Sequence, residues 1–204
     1  MIRKAFHHIS RPLSRLLLRT VNIEDAWRRY PKEVPLQLYG AGAQHDFSWY
    51  FERPSGVEVS NVEDVLAWLL ECIYMRDPDL FNETDFWQHP TTFEELRKGD
   101  CEDFALWAWR KLVELGFDAE FVAGRCVGCE QHGAGHTWVH YRKEKKVFLF
   151  DPVLRDPALM IQPLTSVRHS YLPEVSVDGR LNRYVYGGYY QLLRNEMQVL
   201  PAAM

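Results

Sequence analysis

At Gly116 the apolar period of this 204-residue chain changes, and that change limits the folds open to it. Before it, Cys101, Ala105, Ala108, Leu112 and Leu115 recur on one helical stripe, with Gly116 as the stop. After it the pattern is strand-like. Ala119–Val127, His136–Tyr141 and Val147–Phe150 read as three strands, separated by a loop over Gly128–Gly135 and a charged turn over Arg142–Lys146. Upstream, Ser60 and Glu63 form a capping-box pattern. It predicts a helix through Val62, Val65, Leu66, Leu69 and Ile73 that takes in Cys72 and ends near Asp77-Pro78. A short helical piece is expected from Thr92 to Lys98, and a further strand from Tyr184 to Tyr190. Helices first and antiparallel strands after predict an α+β fold.

Residues 1–58 are poorly periodic and carry Pro31, Pro35, Pro54 and the turn segment Gly40-Ala41-Gly42. They read as a lead-in, packed on the core or flexible, to one domain over 59–204. A net charge of −4 gives no reason to expect a nucleic-acid partner. The first twenty residues hold Arg3, Lys4, Arg11, Arg15 and Arg19 and no acid, around Leu16-Leu17-Leu18. The reading is a basic helix that touches a membrane surface or a partner only weakly, or simply packs. No stretch has the length of a membrane-spanning helix, and the pattern of a signal peptide is not visible. The expectation is therefore a cytoplasmic protein whose four cysteines, Cys72, Cys101, Cys126 and Cys129, are free thiols.

The segment Gly99-Asp100-Cys101-Glu102-Asp103 places a cysteine in the first turn of a helix. Unpaired N–H groups and the helix dipole favour a thiolate there, while Asp100 and Asp103 form a capping pair. The flanking acids oppose that thiolate, so a cationic partner is needed. His136, at the start of a strand after Gly133-Ala134-Gly135, is the candidate base. Asp151 ends the next strand of the expected hairpin, where antiparallel pairing brings it beside His136 as the group that orients the imidazole.

Trp87-Gln88-His89-Pro90, Gly-Asp-Cys-Glu-Asp-Phe-Ala at 99–105, Gly135-His136-Thr137-Trp138-Val139 and Phe150-Asp151-Pro152 together resemble the transglutaminase-like cysteine peptidase superfamily, in its bacterial cysteine proteinase type. The resemblance spans about residues 60–155. It implies a papain-like core, a cysteine-bearing helix packed on an antiparallel sheet, with Cys101 as nucleophile, His136 as base and Asp151 as orienter. It also implies a peptide or amide substrate and a thioester acyl-enzyme, whether hydrolysis or transamidation follows. The N–H of Cys101 is the first oxyanion donor, with Gln88 or the Trp87 indole as the second by analogy. Related periplasmic proteinases hold calcium through acids that match Asp100, Glu102 and Asp103; capping explains these acids more simply, and no cofactor is expected. The alternative is an inactive module that keeps the fold and binds a peptide, or one stabilised by zinc on Cys126, Cys129 and His132. Cys126 and Cys129 also suit a dithiol–disulfide switch.

Overall fold

The computed structural model describes residues 22–127 and 135–191, and its centre is the helix that follows Gly99. The strands are β1 (Arg29–Pro31), β2 (Ile73–Tyr74), β3 (Lys98–Gly99), β4 (Asp118–Cys126), β5 (His136–Lys143), β6 (Lys146–Phe150), β7 (Ile161–Pro163), β8 (Tyr171–Asp178) and β9 (Arg183–Tyr186). The helices are α1 (Ile23–Ala26), α2 (Val62–Leu70), α3 (Asp77–Leu80), α4 (Pro90–Leu96), α5 (Cys101–Glu114), α6 (Pro157–Met160) and α7 (Leu164–Val167). Seven strands form one antiparallel sheet in the order β1-β9-β8-β4-β5-β6-β7, and β2 and β3 make a separate parallel pair. The fold is α+β, with the cysteine-bearing helix on the antiparallel sheet.

Strand alternation decides what each sheet face covers. Ala119, Phe121 and Ala123 of β4, Val139 and Tyr141 of β5, and Val175 and Val177 of β8 share the main core with α5. Val122, Trp138, Leu149 and Tyr171 form a smaller apolar layer on the other face, covered by Trp27, Leu164 and Val167. Val34, Tyr39, Ala43, Phe47 and Tyr50 from the lead-in segment also belong to the main core.

Helix α5 is buried around its whole circumference from Cys101 to Leu112, which its amphipathic stripe does not predict. Arg110 and Lys111 lie outside that stripe. The Arg110 guanidinium donates to Tyr50 O at 3.1 Å and to Glu114 Oε1 at 2.7 Å, while Lys111 Nζ donates to Val57 O at 2.5 Å. Both cations therefore tie the 50–57 segment to the helix, and their charges are matched by carbonyls and Glu114 rather than by water.

Helix α2 is shorter than its apolar spacing predicts. Its cap is Asn61, whose side chain accepts the Asp64 N–H at 2.9 Å, and Asp64 in turn accepts the Ser60 N–H at 2.8 Å. The cap thus lies one residue later than Ser60. The helix stops at Leu70 because Ile73 N–H donates to Arg97 O and Met75 N–H to Gly99 O, which is the parallel ladder of β2 and β3. Cys72 falls in the turn outside the helix, still buried. The Arg155 guanidinium closes that end by donating to Leu69 O at 3.1 Å and Cys72 O at 2.5 Å. Helix α4 begins at Pro90 and ends where Arg97 turns left-handed at φ 51°.

Strand β8 lies between β9 and β4 and is absent from the sequence reading because Pro173 interrupts it. A proline is tolerated in a central strand at a bulge, and the β4–β8 register shifts at that point, between Ala123 and Gly124. Gly124 is needed there: a Cβ would stand 2.2 Å from Leu172 O and 2.8 Å from Trp138 Cη2. Gly124→Ala is expected to destabilise the protein by about 1–3 kcal/mol through overpacking, read as a lower urea midpoint at unchanged slope. Because Gly124 faces His136 across the β4–β5 ladder, the strain falls on the strand that carries the histidine.

Candidate active site

Asp100 precedes α5 in an extended conformation, and Cys101 is the first helical residue. The helix end is anchored by Asp103, whose carboxylate accepts Gln88 N–H at 2.8 Å, the Gln88 side-chain amide at 2.5 Å and Asp100 N–H at 3.3 Å. Gly99 makes room for this: a Cβ there would lie 2.3 Å from Asp103 Oδ2. Cys101 is buried except for 8% of its surface, and its thiol donates to Glu102 Oε2 at 3.2 Å.

His136 and Asp151 meet at the open mouth of the β5–β6 hairpin, whose pairing ends at Val139↔Phe150. His136 Nε2–H donates to Asp151 Oδ2 at 2.8 Å, since a carboxylate there only accepts. Asp151 is fully buried. Its other oxygen accepts Val153 N–H at 3.3 Å, and Oδ2 also accepts the Tyr171 hydroxyl at 2.7 Å. Burial alone would lower the His136 pKa, but the Asp151 carboxylate and then the Cys101 sulfur raise it to about 10. Burial would raise Asp151, yet the imidazolium, Tyr171 and Val153 hold it below the usual carboxylate range. At neutral pH the ring is therefore a cation beside the Asp151 carboxylate.

The two side chains expected as second oxyanion donors are committed elsewhere. Gln88 Nε2 donates to Asp103 Oδ2 and to Lys98 O, and the Trp87 indole donates to Asp85 Oδ1 at 2.9 Å. Gln88 braces the helix start through Asp103, and the Trp87 ring lies in the main core; the direction of either N–H group is set by the fold.

The acids around Cys101 do more than cap. Asp77, Glu102 and Asp103 are buried, Asp85 and Asp100 half-buried, and their oxygens lie within 4.8 Å of one another in two overlapping groups, Asp77–Asp100–Asp103 and Asp77–Asp85–Glu102. Burial, with the neighbouring charges adding, pushes Glu102 and Asp103 well above the carboxylate range and Asp77 to about 6. Asp77 Oδ1 and Asp100 Oδ1 are buried with no hydrogen-bond partner in the protein. Asp77 and Asp85 escape sequence reading because they lie about twenty residues before the cysteine, with only their acidity to mark them.

Of the residues considered for zinc, Cys126 is disulfide-bonded and so offers no thiolate, which also overturns the expectation that it is a free thiol. Cys129 and His132 lie outside the described residues. His136 is engaged by Asp151. Cys72 and Cys101 are free cysteines. No helix among the described residues is long and apolar enough to cross a membrane.

A family model described as bacterial transglutaminase-like cysteine proteinase matches residues 56–172. No curated protein matches the chain. Among solved structures, calcium-bound LapG of Legionella pneumophila is similar at 18% identity with a TM-score of 0.48, over 81% of this chain and 93% of that one. EGTA-treated LapG of the same organism is similar at 22% identity and a TM-score of 0.44, over 56% of this chain and 60% of the other. The family match takes in Cys101, His136 and Asp151 and more than half of the sequence, so the chain belongs to the bacterial transglutaminase-like cysteine proteinases.

Proposed function

We propose that the chain is a thiol peptidase in which Cys101, His136 and Asp151 act as nucleophile, acid–base and orienting group. The observation that carries this reading is the buried imidazole bonded to Asp151 Oδ2 at 2.8 Å, with the Cys101 sulfur among the groups that raise its pKa. The thiolate attacks the scissile carbonyl, and the N–H of Cys101 faces the developing oxyanion. His136 gives its proton to the leaving amine, which departs and leaves a thioester on Cys101. Neutral His136 then takes a proton from water as the water attacks the thioester, and the acid product leaves with the thiolate restored. An amine in place of water would give transamidation; family membership favours water. Cys101→Ala is expected to remove all cleavage of a labelled peptide library while its thermal unfolding stays cooperative. Undiminished cleavage by that variant would sink the reading.

The acidic cluster fits a calcium ion, contrary to the expectation of no cofactor: its donors are all carboxylate oxygens, two of them orphaned and buried. Asp77, Asp100, Glu102 and Asp103 would hold it. Such an ion supplies positive charge that offsets the acids flanking the thiolate.

A further inference from the structure

Tyr171 opens β8 beside the proposed triad and is only 6% exposed. Its ring belongs to the apolar layer on the outer face of the sheet, edge-on to Trp138 at 5.2 Å between centroids and 6.3 Å from His136. Phenylalanine would fill that layer equally well. The hydroxyl is what needs explaining. It donates at 2.7 Å to Asp151 Oδ2, the same oxygen that accepts His136 Nε2–H at 2.8 Å.

The sheet fixes this meeting. Strand β4 pairs with β5 on one side and β8 on the other, with Gly124 opposite His136 and Cys126 opposite Tyr171. The histidine and the tyrosine thus rise from neighbouring strands on either side of β4 and converge on one carboxylate oxygen. Asp151 follows the last residue of β6, and its remaining side-chain partner is Val153 N–H at 3.3 Å, a long contact from its own loop. With that contact alone, the carboxylate could rotate and present either oxygen.

We infer that Tyr171 is a positioning residue, which locks the Asp151 carboxylate so that Oδ2 faces the His136 imidazole. The inference rests on the triad reading above. Tyrosine acts here through Asp151 and touches no reacting atom. A hydrogen bond from a neutral donor to a buried carboxylate is in the stronger class, so its loss is read as about a ten-fold effect on a step that depends on the orientation.

The test compares Tyr171→Phe, which keeps the ring, with Tyr171→Leu, which removes ring and hydroxyl together. Two probes need no substrate: the downfield Nε2–H proton resonance of His136, assigned by its absence in His136→Ala, and the second-order rate of Cys101 alkylation by iodoacetamide. Tyr171→Phe is expected to melt like the parent, while the resonance moves upfield with faster exchange and alkylation slows about ten-fold. An unchanged resonance and rate in Tyr171→Phe, with losses only in Tyr171→Leu, makes the tyrosine a packing residue and overturns the inference. A downfield move with faster alkylation also overturns it, since the phenol would then be weakening the His136–Asp151 bond rather than orienting it. If Tyr171→Phe does not fold, fluorotyrosine at position 171 provides the test: a more acidic phenol that leaves the His136 resonance where it was rules the role out. The triad reading fails separately. Cleavage that survives Cys101→Ala removes that reading, whereas a dead Cys101→Ala beside a parent-like Tyr171→Phe removes only the inference about Tyr171.

Discussion

His136→Ala is expected to slow iodoacetamide labelling of Cys101 at neutral pH by more than ten-fold and to cut peptide cleavage by roughly a thousand-fold or more. The reason lies in the charges around the sulfur. Cys101 has Glu102 Oε2 at 3.2 Å and the half-buried Asp100 next to it. The one cation that faces it in the triad is the His136 imidazolium, held protonated by Asp151 up to about pH 10. Removing the ring leaves only a helix end, worth some 0.3–1 kcal/mol to an anion. Cys72 supplies the internal reference, because burial pushes its thiol to about 12. Peptide mapping should therefore show Cys101 labelled far ahead of Cys72 in the parent, and this preference collapsing in His136→Ala. Cys101 labelling at the parent rate in that variant would show that the helix end and not the imidazole makes the thiolate.

The same pair gives a pH dependence of stability whose sign follows from its shifts. His136 is raised in the folded state, so its contribution is fully present below the unfolded value near 6.5 and is lost as pH rises through about 10. Asp151 is lowered, so its contribution is present above about 3.9 and is lost as pH falls through its folded value.

How far the sequence reaches is clear from particular residues. The three residues of the proposed triad were legible as candidates because each sits at an element boundary that local rules can find: a helix start after Gly99, a strand start after a glycine loop, and a strand end at Asp-Pro. Hairpin geometry then sufficed to bring His136 and Asp151 together. Strand β8 was not legible, because Pro173 within a central strand is permitted only by the bulge beside it, where Ala123 pairs with Val175 and Gly124 with Pro173. Tyr171 was hidden with it. The burial of Arg110 and Lys111 was invisible for a related reason: their partners are backbone carbonyls of the 50–57 segment, which no side-chain pattern announces. Gln88 was expected as an oxyanion donor, but the direction of its amide depends on Asp103, which periodicity does not address.

Calcium is expected to raise the melting temperature of the protein by about 5–10 °C over a solution with EGTA. An ion at a hundred times its dissociation constant adds about 2.7 kcal/mol, and a domain of this size gains about 2–4 °C per kcal/mol. Without the ion, the cluster carries a penalty that depends on pH. Asp77, Glu102 and Asp103 have folded pKa values raised above their unfolded ones, so the folded state holds protons that the unfolded state gives up. Stability in EGTA should then fall as pH climbs from about 4 through about 6, where Asp77 ionises, and further as Glu102 and Asp103 follow. Calcium should flatten that fall, because a bound cation favours the ionised carboxylates. Asp77→Asn separates the ion from general acidity: it lies outside the triad, removes one ligand charge and relieves part of the repulsion. The variant is expected to be more stable than the parent in EGTA at neutral pH and to gain less from calcium. Equal melting curves with calcium and with EGTA across pH 5–8, a range chosen to bracket about 6 for Asp77, would rule the ion out. The acids would then keep their protons, and Glu102 would stand beside Cys101 as a neutral carboxylic acid.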